Sequence, residues 1–459
     1  MRTAVLFALM SMVMLLASVF SWDWLDRAAS LCALALFLYA IRHGFRTLTG
    51  ILTAGLIVFF ALLNGNALTP DGFLKLFQRN ADVVLILVWS GLFGVPIVAS
   101  GTTERFKRLL ERLTPSLKKS LLYVITHGFG TMLTAGALRI MFDLNDVNRR
   151  LKREEANVAI MLQAFGGCVL WSPFISFLVL VLTLNHVNWL SYFPYGLVMV
   201  LVFTLLVAIQ AKRTGRRFES ASERLAGGQR PDLASRWREA GSALLAYVRT
   251  NAGFLAIWLG VFSEIFILST RFGIAVSKLI ILNCMVVPVL WAKKYMSWKE
   301  VMRSCLKNLD PAPYRHSIVL FVGAGVIAGL ILRMDFGWLA WMVDEVRQVP
   351  LSGVLLVFLI FVLVLVPSFY GIHPIVIISI VCSLNYVHGW LSPLTLSVLC
   401  AGTIPIFNLS SPYSVQNQLL WSLFGRDAMT SLVRHHRGVS ATWGVLLLLF
   451  AGFLASASV

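Results

Sequence analysis

The chain has 459 residues, of which 58% are hydrophobic and only 13% charged, with a mean hydropathy of +0.80. This excludes a sizeable soluble domain, because apolar runs of roughly 16–23 residues, the length that spans a bilayer, recur along the chain. The net charge of +18 does not indicate nucleic acid. Lys and Arg are concentrated in alternate loops (Arg42 and Arg46, then 101–120, 143–156, 212–240, 293–310 and 426–437), the distribution that marks cytoplasmic loops and contact with anionic headgroups.

In chain order, residues 1–47 read as N-terminal transmembrane helices. Arg2 and the run that follows resemble a secretory signal, but residues 17–21 lack a clean A-x-A cleavage site, so the run is read as a retained helix. Residues 3–20 go out and 28–41 return. A first repeat, 48–211, begins with 48–63 going out and 82–99 returning. Residues 102–119 are basic, and Phe106, Leu109, Leu110 and Leu113 recur at helical spacing, which predicts a helix in the interface plane.

The next segment, 121–142, is long enough to cross but basic on both flanks. Arg105, Lys107, Arg108, Arg112, Lys118 and Lys119 precede it, and Arg149, Arg150, Lys152 and Arg153 follow. Both ends therefore lie on the cytoplasmic side, and the segment is a re-entrant hairpin. Its turn is predicted at His127-Gly128-Phe129-Gly130, where two glycines let the backbone reverse. Such backbone survives at membrane depth only inside protein or beside a water-filled cavity. Arg139, in the returning arm, either snorkels to the cytoplasmic surface or offers a counter-charge to an anion.

Residues 157–189 then go out through a break at 166–174, and 192–211 return. Residues 212–240, with eight Lys/Arg and with Gly227, Gly228 and Pro231, form a cytoplasmic linker. Residues 241–315 are connecting transmembrane helices, with 298–309 predicted to be interfacial. The second repeat, 316–459, starts with 317–332 going out and an interfacial stretch at 337–346. Residues 351–385 are interrupted between Pro367 and Pro374, giving either a second hairpin opening from outside or two short crossings. Residues 390–424 come in through a second break, and 440–454 go out. The fold class is an all-α polytopic membrane protein with about eleven transmembrane helices, two re-entrant hairpins and two broken helices in inverted repeats. The N-terminus is placed in the cytoplasm and the C-terminus in the periplasm of an inner-membrane protein.

Two interruptions echo each other. His127 precedes Ser172-Pro173-Phe174 by 45 residues, counted to Ser172, and His373-Pro374 precedes Ser411-Pro412-Tyr413 by 38, counted to Ser411. Corresponding breaks in two halves point to a transporter binding site. A broken helix exposes N–H groups on one side, which attract anions, and carbonyls on the other, which ligate Na⁺ or share a proton. Ser172 and Ser411 are expected to be the N-caps of the resumed helices, with Pro173 and Pro412 in their first turns. The candidate substrate- and ion-binding residues are Thr126, His127, Gly128, Gly130, Thr131, Ser172, Pro173, Ser176, His373, Pro374, Asn408, Ser410, Ser411, Pro412, Ser414 and Asn417. No catalytic residue is assigned. The cysteines (Cys32, Cys168, Cys284, Cys305, Cys382 and Cys400) show no CxxC spacing and indicate no metal site or disulfide framework.

These segments, Thr126 to Thr131, 170–176, Gly371 to Pro374 and Ser410 to Asn417, resemble the ion transporter superfamily: divalent anion/sodium symporters, citrate transporters and the large membrane subunit of tripartite carboxylate transporters. The resemblance covers about residues 48–211 and 316–455. It implies eleven crossings, two hairpins and two broken helices meeting at the substrate, and a homodimer working by an elevator movement, with residues 102–119 and 337–346 as the arms that carry the moving part. The dicarboxylate symporters carry Ser-Asn-Thr at the hairpin tip and the break. This chain has Thr126-His127-Gly128 and Asn408-Leu409-Ser410-Ser411 there. A His at each tip makes H⁺ the alternative to Na⁺ as coupling ion, and His127→Gln is expected to flatten the pH dependence of uptake.

The function expected is a secondary active transporter of a small anionic solute, with no cofactor beyond a possible coupling Na⁺, with the lipid bilayer and a second copy as partners, and with no nucleic acid. The absence of a Walker A motif removes ATP as its own fuel. An intramembrane enzyme is the weaker reading, since neither G-x-S-x-G nor HExxH is present. A flippase or transporter of a lipid-linked envelope precursor is the alternative.

Overall fold

The computed structural model describes residues 2–457, apart from 21, 45–47, 65–67, 112, 134–137, 139, 143–146, 227–232, 335–340, 342–344 and 346–350. Among the described residues there are α-helices and short 3₁₀ turns and no strand. Eight helical segments are long and apolar enough to cross a membrane, and four shorter apolar ones accompany them. The chain is a multi-span membrane protein.

Three N-terminal helices, α1 (Arg2–Val19), α2 (Asp23–Gly44) and α3 (Leu48–Asn64), lead to α4 (Pro70–Gln78), α5 (Ala81–Trp89) and α6 (Gly94–Ala99). The expected interfacial stretch 102–119 is divided. Helix α7 (Thr102–Glu111) is the amphipathic part, with Phe106 and Leu110 buried, and α8 (Pro115–Leu133) starts a new helix at a proline. Helix α9 (Val147–Cys168) leads to the first break, after which α10 (Ser176–Leu184) resumes.

Helices α8 and α9 run in the same direction. His127 Nδ1 meets Ala164 O at 3.2 Å, the Cys168 thiol reaches His127 O at 3.1 Å, and Ser172 Oγ reaches Thr131 O at 2.7 Å, so rising numbers on one helix meet rising numbers on the other. Most of the chain between Leu133 and Val147 lies outside the described residues. The turn expected at residues 127–130 is not found there. His127 to Gly130 are helical, inside α8. Gly130 serves close approach instead: a Cβ there would lie 2.6 Å from Cys168 Sγ and 3.3 Å from the Phe165 ring, so glycine lets α8 and α9 touch. Arg139 and the interfacial stretch 337–346, apart from Trp341 and Glu345, lie outside the described residues.

Helix α11 (Trp189–Ala226) continues well past residue 211, and α12 (Leu233–Phe272) bends at Asn251, whose φ and ψ are −120° and 16°. The basic linker is therefore largely a pair of helical extensions, while Gly227, Gly228 and Pro231 lie outside the described residues. Helix α13 (Val276–Lys293) is followed by α14 (Trp298–Asn308). The latter opens with a capping box in which Ser297 and Glu300 satisfy each other's backbone N–H.

Helix α15 (Arg315–Ile331) is buried from Ile318 to Ile331 and packs on α2, α3 and α4. Its glycines permit this. A Cβ at Gly323 would collide with Thr53, and one at Gly329 with Leu76. Asn80 and Asn64 tie α15 down through bonds to Phe321 O (3.0 Å) and Leu330 O (3.2 Å).

Helices α16 (Ser352–Ser368) and α17 (Pro374–His388) are 17 and 15 residues long, short of the roughly 20 that a full crossing needs. Pro374 opens α17 and Gly389 closes it in the left-handed region at φ 61°, where glycine carries no Cβ penalty. Helix α18 (Pro393–Ser410) precedes the second break, and α19 (Val415–Phe424) and α20 (Arg426–Ala457) complete the chain.

Candidate functional site

The two breaks are built alike. At the first, Ser172 Oγ donates to Thr131 O at the end of α8 (2.7 Å) and accepts the N–H of Phe174 (3.3 Å). At the second, Ser411 Oγ donates to Ser368 O at the end of α16 (3.0 Å) and accepts the N–H of Tyr413 (3.2 Å). Both hydroxyls are fully buried. Each Ser-Pro-aromatic sequence thus uses its hydroxyl twice: to tie the break to the end of an earlier helix, α8 or α16, and to hold its own turn. The serines are not N-caps. Helix α10 resumes at Ser176 after Ile175, and α19 resumes at Val415 after Ser414, so Pro173 and Pro412 lie before the helices rather than in their first turns. A Ser-Pro pair reads as a cap-and-first-turn signal; here the hydroxyl bond to the earlier helix overrides it.

The other polar residues of the breaks satisfy freed backbone. Tyr192 and Trp189 of α11 cover Leu170 O (2.7 Å) and Trp171 O (2.9 Å). Asn417 Nδ2 donates to Asn408 O (3.1 Å) and Ser411 O (2.8 Å), and Ser414 Oγ donates to Asn408 O (3.0 Å). Ser410 pairs with Ser440 on α20 at 2.8 Å.

Between the breaks lies a cavity of about 130 Å³. Both halves line it: Val169, Ile175 and Ser176 from the first break, Asn408, Val415 and Gln416 from the second, Leu138 from the segment between α8 and α9, and His373 from the start of α17. Three helix starts meet there, those of α10, α17 and α19. His373 caps α17 by accepting the Ile375 N–H at Nδ1 (3.3 Å). The start of α10 has no side-chain cap, so its first-turn N–H groups are available to a ligand. Ser176 Oγ and both amide atoms of Gln416 are buried without a hydrogen-bond partner among the described residues. Unpaired buried groups are costly and call for an explanation, and a ligand is one.

Of the expected site residues, Ser176, His373 and Asn408 line this cavity. Ser172, Ser410, Ser411, Ser414 and Asn417 hold backbone or pair helices beside it. Thr126, His127, Gly128, Gly130, Thr131, Pro173 and Pro374 are not in its lining. Pro412 lines a second cavity of about 770 Å³, with Tyr413, Gln418 and Arg426. Sequence reasoning passed over Gln416 and Ser317.

His127 is occupied. Its Nε2 accepts the Trp171 indole N–H (2.9 Å), its Nδ1 faces Ala164 O (3.2 Å), and its ring lies nearly coplanar with that of Trp171 (8°) and 5.9 Å from that of Tyr123. A neutral ring that donates at Nδ1 and accepts at Nε2 satisfies both contacts, and protonation would break the Trp171 bond. His127→Gln is therefore expected to lower the melting temperature while leaving the pH profile of uptake in place, which reverses the expectation from sequence; parallel melting and pH-dependent uptake curves check it.

A separate polar cluster links α9, α11 and α20. Gln163 Nε2 donates to Gln210 Oε1 (2.8 Å) and lies 3.1 Å from His436 Nδ1, and Gln210 Nε2 donates to His435 O (2.8 Å). Gln163→Leu leaves the His436 ring and the Gln210 carbonyl without this donor. It is expected to cost about 1–3 kcal/mol, read as a lowered melting temperature in detergent.

No protein-family model matches the chain, and no curated protein matches it. Among solved structures it is similar to the Alcanivorax borkumensis YdaH transporter, whose crystal structure is described as revealing an unusual topology. The TM-score is 0.52 at 16% identity, over 92% of this chain and 98% of that one. At that identity the likeness concerns architecture, and this chain is an all-helical, multi-span membrane protein with the fold of a membrane transporter.

Proposed function

We propose that the chain is a secondary active transporter of a small anionic solute, of the ion transporter superfamily type, driven by a Na⁺ or H⁺ gradient. The observation that carries this reading is a cavity lined by residues of both breaks and by Leu138 and His373, with unpaired polar atoms at converging helix starts. Helix starts favour negative charge, and a site shared by two related halves suits alternating access. The parallel course of α8 and α9 supports reading the first hairpin as re-entrant from the cytoplasmic side. Together with loop charge, this supports an inner-membrane protein with a cytoplasmic N-terminus and a periplasmic C-terminus. The serine ties make each hairpin and its break one unit, as an elevator movement in a homodimer would require. The cavity's volume of about 130 Å³ argues against a lipid-linked glycan as cargo.

Uptake into proteoliposomes tests the proposal. Anion accumulation that needs an imposed Na⁺ or H⁺ gradient is expected. Solute movement indifferent to every ion gradient overturns it.

A further inference from the structure

We infer that the cavity between the breaks accepts a monoanion with a compact apolar body, and rejects dicarboxylates. The inference rests on the transporter reading above and names the substrate class of that site.

The wall sets the charge. Among the described residues no Lys, Arg, Asp or Glu lines the cavity, and its polar side chains are Ser176, Ser317, His373, Asn408 and Gln416. Two of these, Ser176 and Gln416, are 3% and 2% exposed and carry the unpaired atoms. They stand at the starts of α10 and α19, helices of 9 and 10 residues. The Ser176 hydroxyl, the Gln416 amide N–H and the uncapped first turn of α10 supply donors to one anionic group. The two starts that carry the unpaired atoms, those of α10 and α19, each offer the equivalent of roughly half a positive charge and together offset about one negative charge, while the start of α17 is already capped by His373. Among the described residues of the wall a second carboxylate would meet only hydrocarbon or neutral dipoles, and a buried unpaired charge is strongly disfavoured.

The same wall sets the body. The rest of the described wall is apolar, with Phe165, Phe177, Phe321, Phe407, Ile375 and Leu419 among its residues. The volume of about 130 Å³ is close to the roughly 150 Å³ apolar cavity that holds benzene. A six-membered ring or a branched chain of similar bulk fills it.

The test measures binding to the full-length protein in detergent by calorimetry. The probes are cyclohexanecarboxylate, its neutral amide and succinate. Saturable binding of cyclohexanecarboxylate is expected, with the amide and succinate at least about tenfold weaker, the discrimination one charge-assisted hydrogen bond provides. Gln416→Leu is expected to weaken cyclohexanecarboxylate by a similar factor, and Ser176→Ala to do so with the least disturbance of packing. Succinate binding as tightly as the ring monoanion overturns the substrate class and leaves the anion-transporter reading intact. Equal binding of the amide overturns the anion requirement. If none of the probes binds and no anion in a broad panel is taken up by proteoliposomes, both readings fall.

Discussion

Replacing Ser172 and Ser411 together with alanine is expected to abolish gradient-driven uptake while leaving the helical circular-dichroism signal of the protein unchanged. Each hydroxyl is the bond between a break and the end of an earlier helix, to Thr131 O and Ser368 O. Each also holds the turn that follows, through Phe174 N and Tyr413 N. Removing one hydroxyl leaves a buried carbonyl and a buried N–H without their partner, at about 1–3 kcal/mol per site. The helices on either side keep their own backbone bonds, so the loss falls on the geometry of the break. Either single variant should retain partial uptake, because the other tie remains. Substitution by threonine, which keeps the hydroxyl, should restore more uptake than alanine does. Full activity in the double variant would show that the ties are incidental.

Gly196→Ala is expected to be the most damaging single methyl group in the first half. A Cβ at that position would stand 2.7 Å from Leu170 O and 3.3 Å from Trp171 Cα, both backbone atoms of the break, and 2.9 Å from the Tyr192 ring. Backbone fixed by two aromatic donors, Tyr192 and Trp189, has no flexible end to move aside. The collision must displace the break or open α11, and overpacking of this kind costs about 1–3 kcal/mol. A clear drop in melting temperature together with impaired uptake is expected. Wild-type melting and uptake would show that α11 does not hold the break where the structure puts it.

The course of the chain was legible where charge and hydrophobicity speak over many residues. Basic groups on both flanks of residues 121–142 predict a segment that returns; α8 and α9 run in the same direction, and most of the chain between them lies outside the described residues. The position of the turn was not legible. Glycine permits both a reversed backbone and a close helix contact, and only the Cys168 side chain facing Gly130 decides for the second. The paired Ser-Pro breaks were legible from their repetition, but their serines were assigned to capping, since nothing in a local pattern announces a partner 41 or 43 residues away. Gln416 escaped notice because glutamine has no signature of its own. It becomes conspicuous only when both of its amide atoms are seen buried and unpaired. The histidines marked two real positions with different uses: His127 binds α8 to the first break, while His373 caps α17 at the cavity wall.

The central claim is that one solute site is assembled from both halves of the chain. Cross-linking of Ser176→Cys with Gln416→Cys by a short bismaleimide, in the full-length protein with its six native cysteines replaced by alanine and reconstituted in liposomes, tests it most directly. Both positions line the same cavity. The double variant is predicted to cross-link, the two single variants to give none, and a transported anion to slow the reaction. Two cysteines that react separately and never join, with or without an anion, would contradict the account.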